Sequence, residues 1–158
     1  MSEVTRLTDQ GMITLRADLS ALSFPVPATR TVRDGVAWMS PDELLIMVPK
    51  AEVPAKMAAL ASGLPEHHLL ADVSDARAVF ALTGDDAREV LAKGAPVDLS
   101  PDSFQIGDIR RTRIGQVAAA FWMVDAQTFH IVCFTSVSGY LEDWLRHASR
   151  ESAMVTYF

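Results

Sequence analysis

Three arginine side chains stand close together in one short stretch, at positions 110, 111 and 113, between two glycines of the kind found in turns. Side chains alternate between the two faces of a strand, so Arg111 and Arg113 are expected to lie on one face. Two guanidinium groups on one face can bind a carboxylate of a partner molecule through paired hydrogen bonds. The alternative is a solvated sheet face, because arginine is mostly exposed in proteins. We therefore treat Arg111 and Arg113 as candidate interface residues.

Trp122 is a candidate interface residue of another kind. An indole ring combines a large apolar area with one hydrogen-bond donor, and such side chains often anchor interfaces. Trp144 lies on the apolar stripe of a predicted helix and is expected to belong to the core. Trp122 is therefore the tryptophan that we include in the candidate interface.

The other side chains with reactive groups do not form a catalytic pattern. Cys133 follows apolar residues two and four positions before it, so it is expected to be a buried, inert thiol on a core strand. His130 is expected on the opposite face, partly exposed. His67 and His68 are adjacent, and adjacent side chains on an extended chain diverge, which disfavours a metal site. We predict no catalytic, cofactor-binding or metal-binding residue.

The stretch Gly84-Asp85-Asp86 precedes a predicted helix, and helix N-termini bind anions. Two carboxylates at this position would repel a phosphate, and no glycine-rich fingerprint with a Lys-Ser/Thr pair accompanies them. The stretch is better explained as a helix cap, with Asp85 as the predicted N-cap.

Composition excludes some classes of partner. The 158 residues include 14 basic and 20 acidic side chains, giving a net charge of −6. Nucleic acids and anionic membranes attract proteins with an excess of Lys and Arg, so neither is expected as a partner. Apolar residues make up 49% of the chain, and the fraction rises slightly above the usual range when glycine is counted in place of tyrosine. This excess favours a surface that is buried by a protein partner.

Cysteine content and hydropathy indicate the compartment. The single cysteine, Cys133, cannot form an internal disulfide, and no group of Cys and His has zinc-site spacing, which favours a reducing cytoplasm. The first residues contain no apolar core of signal-peptide type, and no run of 18 apolar residues follows. We expect a soluble cytoplasmic protein whose length fits a single domain, residues 1–158, with one core.

Hydrophobic periodicity predicts the elements that position these residues. They are a strand over 12–17, a hairpin of 36–39 and 44–48, a helix over 52–64, a strand over 78–82, a helix ending near Gly94, an antiparallel meander of 108–114, 117–124 and 128–134, and a last helix from about Ser136. A shift of 85 positions lays the first hairpin and helix on the last, placing Leu44 on Phe129 and Leu60 on Leu145. This match indicates two related β-β-α halves, although any half-buried hairpin followed by an amphipathic helix has these periods. Either way the fold class is α+β, with antiparallel sheets covered by helices on one face.

Residues 69 to 150 also carry a resemblance to a known family. The residues that carry it are Asp72-Val73-Ser74, Val79 to Gly84, Ala87 to Leu91, Asp98-Leu99, Phe104, Gly107 and Arg111-Thr112-Arg113. In order and spacing they resemble the gamma subunits of heterotetrameric sarcosine oxidase. More distantly they resemble the folate-binding aminomethyltransferase of the glycine cleavage system. The resemblance implies a fold like the folate-binding domain of the aminomethyltransferases.

The hairpin after Gly115 departs from the aminomethyltransferase pattern. In those relatives it usually reads Gly-Gly-Ile-x-Asp-Asp, and an Asp there handles the amine and folate during one-carbon transfer. Here the stretch is Gly115-Gln116-Val117-Ala118-Ala119-Ala120. Alanine has no titratable group and cannot act as a general base or hold an ammonium. Transferase activity is therefore not expected.

The resemblance implies a non-catalytic structural subunit of sarcosine oxidase, a complex that oxidatively demethylates sarcosine to glycine, produces hydrogen peroxide and passes the one-carbon unit to tetrahydrofolate. It also implies a heterotetramer with alpha, beta and delta subunits, in which this chain docks chiefly on alpha. The flavins, NAD and zinc of the family belong to those partners, so no cofactor is expected in this chain. Two alternatives stay open: a stand-alone folate-binding protein of the aminomethyltransferase type, and a small ligand-binding α+β domain. Arg111 and Arg113 would bind a carboxylate of a partner protein if the chain is an oxidase subunit, or a carboxylate of folate if it is a stand-alone folate-binding protein.

Overall fold

A computed structural model describes residues 1–158, except for the side chain of Ser152. In chain order its strands are β1 (Glu3–Leu7), β2 (Gln10–Ala17), β3 (Val32–Arg33), β4 (Val36–Ser40), β5 (Glu43–Pro49), β6 (His68–Asp72), β7 (Arg77–Thr83), β8 (Ile109–Ile114), β9 (Val117–Asp125) and β10 (Thr128–Phe134). Its α-helices are α1 (Val53–Ala61), α2 (Ala87–Ala92) and α3 (Ser138–Ala148). The chain divides into two compact units, residues 9–77 and residues 1–8 with 78–158. The expectation of one domain over residues 1–158 stays a prediction.

The unit of residues 9–77 is a five-stranded sheet in the order β3-β4-β5-β2-β6, with α1 packed against β2, β5 and β6. One face of the sheet carries the apolar side chains that meet the helix. They include Ile13 and Leu15 from β2, Leu44 and Ile46 from β5, and Val53 and Leu60 from α1. Pro54 is tolerated because it stands in the first turn of α1, where its missing N–H has no intrahelical partner in any case.

The stretch Asp72-Val73-Ser74 joins the end of β6 to β2. The Ser74 hydroxyl is buried, accepts a hydrogen bond from the Met12 backbone N–H at 2.9 Å, and lies 2.6 Å from an Asp72 carboxylate oxygen. The Val73 N–H donates to the Met12 carbonyl at 2.9 Å. These bonds join the chain after β6 to the middle of β2. The hydroxyl and N–H of Ser74 lower the pKa of Asp72 because both donate to its carboxylate.

The other unit is a five-stranded sheet in the order β1-β7-β10-β9-β8, with α3 packed against β1, β10 and α2. Its core contains four fully buried phenylalanines, Phe80, Phe104, Phe121 and Phe129. Arg88 of α2 fixes the irregular segment before β8, because its guanidinium donates to the carbonyls of Leu99 at 2.8 Å and Phe104 at 2.9 Å.

A slot lined by glycine holds the Trp144 ring of α3. The Gly115 N–H donates to the Gly94 carbonyl at 3.0 Å, which brings the turn after α2 against the β8–β9 turn. A Cβ atom on Gly94 would lie 2.5 Å from the Trp144 ring, and one on Gly115 would lie 3.2 Å from the Tyr140 hydroxyl. Gly115 also has a φ of +58°, a conformation that favours glycine. The two glycines therefore provide the space that the indole occupies.

The two units share one strand order. Reading from the edge, β3-β4-β5-β2-β6 corresponds to β8-β9-β10-β7-β1. A shift of 85 positions places the start of β5 on the start of β10 and the start of α1 on the start of α3, as the sequence pattern suggested. The α+β class, with antiparallel sheets and helices, is confirmed.

Some details differ from the sequence-based expectations, among them the short strands β3 and β6, which the sequence did not predict. β1 was not anticipated; it pairs with β7, so that Glu3 lies opposite Thr83. The N-cap of α2 is Asp86 rather than Asp85, and its side chain does not cap the helix. Asp85 instead accepts a hydrogen bond from the Gln127 side chain, and Asp86 accepts one from the Ser2 hydroxyl. Both carboxylates are therefore engaged by distant elements.

Candidate interaction site

The candidate arginines lie on β8, which is an edge strand of its sheet. Arg111 pairs with Ala120 and Arg113 with Ala118 across the β8–β9 ladder, and both arginine side chains are exposed. Because residues two apart on a strand share a face, the predicted placement of the two side chains on one face holds. Of their two cross-strand neighbours, Ala118 beside Arg113 is exposed, whereas Ala120 beside Arg111 is buried.

The three arginines of this strand differ in their surroundings. Arg110 donates to the Ile109 carbonyl at 2.8 Å and lies 5.3 Å above the Phe104 ring, so it covers the core. Arg111 has an interaction partner within the chain. Arg113 has no hydrogen-bond or ion-pair partner among the described residues. Of the pair, Arg113 is therefore the group with its full donor capacity available.

Ala119 and Ala120 of β9 stand where the resemblance to the aminomethyltransferases would place acidic residues. Ala119 is 6% exposed and belongs to the core, while Ala120 is 2% exposed and lies opposite Arg111. Methyl groups at both positions supply neither a proton acceptor nor a ligand for an ammonium. In this hairpin both alanines are buried, and Ala119 packs in the core of the sheet.

Trp122 is only 5% exposed, and its ring lies edge-on to the His130 ring at a centroid distance of 5.6 Å. Burial lowers the pKa of His130, and the nearby Asp125 carboxylate opposes that shift. In this chain the Trp122 ring offers little area to an outside partner. Its role in an interface stays a prediction.

Cys133 is a buried thiol, as its position on the strand predicted. It is 4% exposed within the core cluster, and burial raises its pKa to about 11. A thiol with this pKa is almost entirely protonated at neutral pH and is a poor nucleophile. The histidines His67 and His68 are exposed, and the His68 ring lies 2.6 Å from the Pro65 carbonyl. Among the described residues, no three His, Cys, Asp or Glu side chains are placed to hold a metal ion.

A feature that the sequence did not reveal is the clamp formed by Glu89 on α2. Its carboxylate accepts hydrogen bonds from three successive backbone N–H groups, those of Val155, Thr156 at 2.7 Å and Tyr157 at 3.2 Å. These bonds, led by the one from Val155, lower the pKa of Glu89. We call residues Met154–Phe158 the clamped segment. No local pattern signals it, because its partner lies about 66 residues away in the sequence.

The clamped segment forms one wall of an open cavity of about 630 Å³. The other walls come from α2 and the segment after it, and the lining residues are Glu89, Ala92, Lys93, Val97, Asp98, Leu99, Ser100, Val155, Tyr157 and Phe158. Lys93 donates to the Ala148 carbonyl at 2.8 Å, and Asp98 accepts from the Ser100 N–H and the Ser103 hydroxyl. The charged groups of the cavity are thus bonded within the chain.

None of the helices among the described residues is long and apolar enough to cross a membrane.

Comparisons with known proteins support one family. A family model described as "Sarcosine oxidase, gamma subunit family" matches residues 14–151. Gamma subunits of sarcosine oxidase from Corynebacterium sp. (strain P-1) and Arthrobacter sp are 32% identical over 119 residues and 28% identical over 122 residues. The matches cover 75% and 77% of this chain but 58% and 59% of those relatives. The chain thus spans about three-fifths of the length of the curated relatives it matches.

Solved structures show a shared fold. A chain of the heterotetrameric sarcosine oxidase from Corynebacterium sp. U-96, in complex with pyrrole 2-carboxylate, matches with a TM-score of 0.82 at 24% identity, covering 97% of this chain and 86% of that chain. The glycine cleavage system aminomethyltransferase T from Bartonella henselae matches at 0.64 and 14% identity, covering 91% and 45%. The regulatory subunit of aspartate kinase from Thermus thermophilus matches at 0.55 and 11% identity, covering 94% and 98%. The expected likeness to the aminomethyltransferase fold is confirmed, and from the family match over residues 14–151 this chain belongs to the sarcosine oxidase gamma subunit family.

Proposed function

We propose that this chain is a non-catalytic structural subunit of a cytoplasmic heterotetrameric sarcosine oxidase. The observation that carries the proposal is the family match, which extends over residues 14–151 and so includes every strand except β1 and the start of β2. The complex oxidatively demethylates sarcosine to glycine, produces hydrogen peroxide and transfers the one-carbon unit to tetrahydrofolate. This chain docks chiefly on the alpha subunit and stabilises the assembly with the beta and delta subunits.

The chemistry of the β8–β9 hairpin supports a structural role. In the aminomethyltransferase pattern an Asp of this hairpin handles the amine and folate, and the residues that the resemblance places there are Ala119 and Ala120, both buried. Cys133 is buried with a raised pKa, which makes it unsuited to nucleophilic work. In the proposed complex the partner subunits hold the flavins, NAD and zinc, and this chain provides a docking surface.

The proposed docking surface includes Arg111 and Arg113, with Trp122 behind them on the neighbouring strand. Arginine forms paired hydrogen bonds with carboxylates, so acidic residues of the alpha subunit fit this edge of the sheet. The chain as a whole carries a net charge of −6, so this edge is a basic patch on an acidic protein. Such a patch would orient the chain as it approaches an acidic surface of its partner.

Copurification tests the proposal. The chain is expected to copurify with a flavin-bearing large subunit when the oxidase subunits encoded beside it are expressed together. Tight binding of tetrahydrofolate by the purified chain alone, measured by calorimetry, would contradict it and support the stand-alone folate-binding alternative. If the chain neither copurifies nor binds folate, the small ligand-binding domain is the better description.

A double substitution tests whether the β8 edge is the docking surface. Replacing both Arg111 and Arg113 by Ala is expected to weaken assembly while the isolated chain keeps its thermal midpoint, because exposed arginines contribute little to folding. The matched control removes Arg33 and Arg146, two other exposed arginines. Equal affinity of both variants for the large subunit, measured by biolayer interferometry, excludes the β8 edge as the docking surface.

A further inference from the structure

The clamp at Glu89 fixes a segment whose last four residues, 155–158, are exposed. Glu89 is only 7% exposed, and both of its carboxylate oxygens accept backbone N–H groups of the clamped segment. Thr156 adopts a φ of +57°, which is costly for a residue with a branched side chain. Successive N–H groups in such a conformation converge on one anion. The arrangement therefore orders the backbone of the segment through a single carboxylate.

The ordered segment displays apolar side chains. Val155, Tyr157 and Phe158 are 68%, 79% and 47% exposed, and the two rings stack edge to face at 5.1 Å. Together they expose on the order of 400 Å² of largely apolar area, which is the size of the largest patch on an ordinary monomer. Exposed aromatic side chains on an already ordered backbone lose little entropy when they are buried by a partner. The segment therefore has the properties of a preorganised interface anchor.

Charge defines the partner surface. The clamped segment has no charged side chain, and the ionisable groups beside it are bonded within the chain: Glu89 to the segment, Lys93 to the Ala148 carbonyl, and Asp98 to Ser100 and Ser103. A chain with a net charge of −6 thus presents an area whose side chains carry no uncompensated charge. The complementary surface is apolar and uncharged, since a charged group buried against it would have no partner. The cavity of about 630 Å³ beside the segment accepts an apolar side chain of that same surface.

Area decides against a second copy of this chain. Two segments stacked on each other would bury roughly 800 Å² in total, whereas a stable dimer needs about 1,200–2,000 Å². A protruding aromatic pair contributes more as part of a larger heterologous surface, inserted into a concave pocket.

We propose that the clamped segment is a docking element, that Glu89 is its positioning residue, and that its occupant is an apolar, uncharged pocket on another subunit of the oxidase. This inference rests on the proposed function. Glu89 acts only through the segment it orders, whereas Tyr157 and Phe158 make the contact.

Two variants and one control test the proposal. Replacing Tyr157 and Phe158 by Ser removes the contact but leaves the backbone bonds to Glu89. Glu89→Met removes the three acceptor bonds at similar side-chain length. Tyr140→Ser removes an aromatic side chain that is 50% exposed on α3 and is the matched control. Each chain is measured for hydrogen exchange at residues 155–157 and for affinity to the remaining oxidase subunits.

In the Tyr157/Phe158 variant, we expect retained amide protection and an affinity that falls roughly tenfold or more. In Glu89→Met, both protection and affinity fall, and in Tyr140→Ser neither changes. Unchanged affinity of the Tyr157/Phe158 variant overturns the inference while leaving the subunit assignment intact. A wild-type chain that does not associate with the oxidase subunits overturns both. A concentration-dependent dimer of the purified chain that disappears in the Tyr157/Phe158 variant would show that the occupant is a second copy, which also contradicts the proposal.

Discussion

Replacing Gly94 by Ala is expected to destabilise the fold through one contact. The new Cβ would lie 2.5 Å and 2.6 Å from two ring carbons of Trp144 and 3.1 Å from the Gly115 backbone nitrogen. Separations below 3.0 Å require movement, and the Gly115 side is backbone that is already hydrogen-bonded to the Gly94 carbonyl. The indole must therefore shift by about 1 Å out of its slot, since carbon atoms pack at about 3.5–4.0 Å.

The magnitude follows from two opposing effects. Overpacking of this kind costs about 1–3 kcal/mol. Gly94 does not have a positive φ, so alanine also removes unfolded-state entropy and returns about 0.4–1 kcal/mol. The net loss is on the order of 1–2 kcal/mol, or a fall in Tm of roughly 2–8 °C for a chain of this size.

Urea denaturation, followed by tryptophan fluorescence and circular dichroism, measures the effect. Gly139→Ala is the matched control: nothing lies within 4 Å of its Cβ position near the start of α3, so alanine should stabilise by about 0.5–1 kcal/mol. Trp144→Phe removes the two clashing ring carbons, so Gly94→Ala in that background should cost little. The reasoning fails if Gly94→Ala is as stable as Gly139→Ala, or if its cost is the same with Phe at position 144.

Three other outcomes follow from the described contacts. Ser74→Ala should cost about 1–3 kcal/mol in urea denaturation because the buried Met12 N–H loses its acceptor, whereas the exposed Ser20→Ala should change little. The pKa of Asp72 is lower in the folded chain than in the unfolded chain, so the unfolded chain binds this proton more readily. The contribution of Asp72 to folding stability is therefore complete above its unfolded pKa near 4 and declines as the pH falls. Asp72→Asn should accordingly make the free energy of unfolding depend less on pH between about pH 5 and pH 3. Cys133, with a pKa of about 11, should resist a thiol reagent at pH 8 until the chain is denatured in urea, and rapid labelling of the native chain would contradict its burial.

Elements with a local pattern were predictable from the sequence. The hairpin of β4 and β5 has two short apolar runs on either side of a turn with Pro and Asp, and α3 has a single apolar stripe with Leu141 and Leu145 in the core. The burial of Cys133 followed from its place on a core strand for the same reason. In these segments the spacing of apolar residues only a few positions apart determines which side chains are buried.

Elements whose partners are distant were not predictable. β1 is five residues long with three polar side chains, and only its pairing with β7 makes it a strand. Asp85 is a residue type that favours the N-cap position, but its carboxylate instead accepts a hydrogen bond from the Gln127 side chain, 42 positions away. Glu89 reads as an ordinary helix residue, and its clamp exists only once the chain after α3 has returned to α2. In each case a tertiary contact overrides the local preference.

The place of β1 in its sheet has a consequence for biosynthesis. Glu3 pairs with Thr83, 80 positions later, so β1 must wait for roughly 4–16 s of chain elongation before its partner strand exists. During that time residues 9–77 can complete their own sheet from contiguous sequence, because β2 to β6 all lie within them. A tag or deletion within residues 1–8 therefore acts on the unit that closes later in synthesis, and leaves the earlier one able to fold.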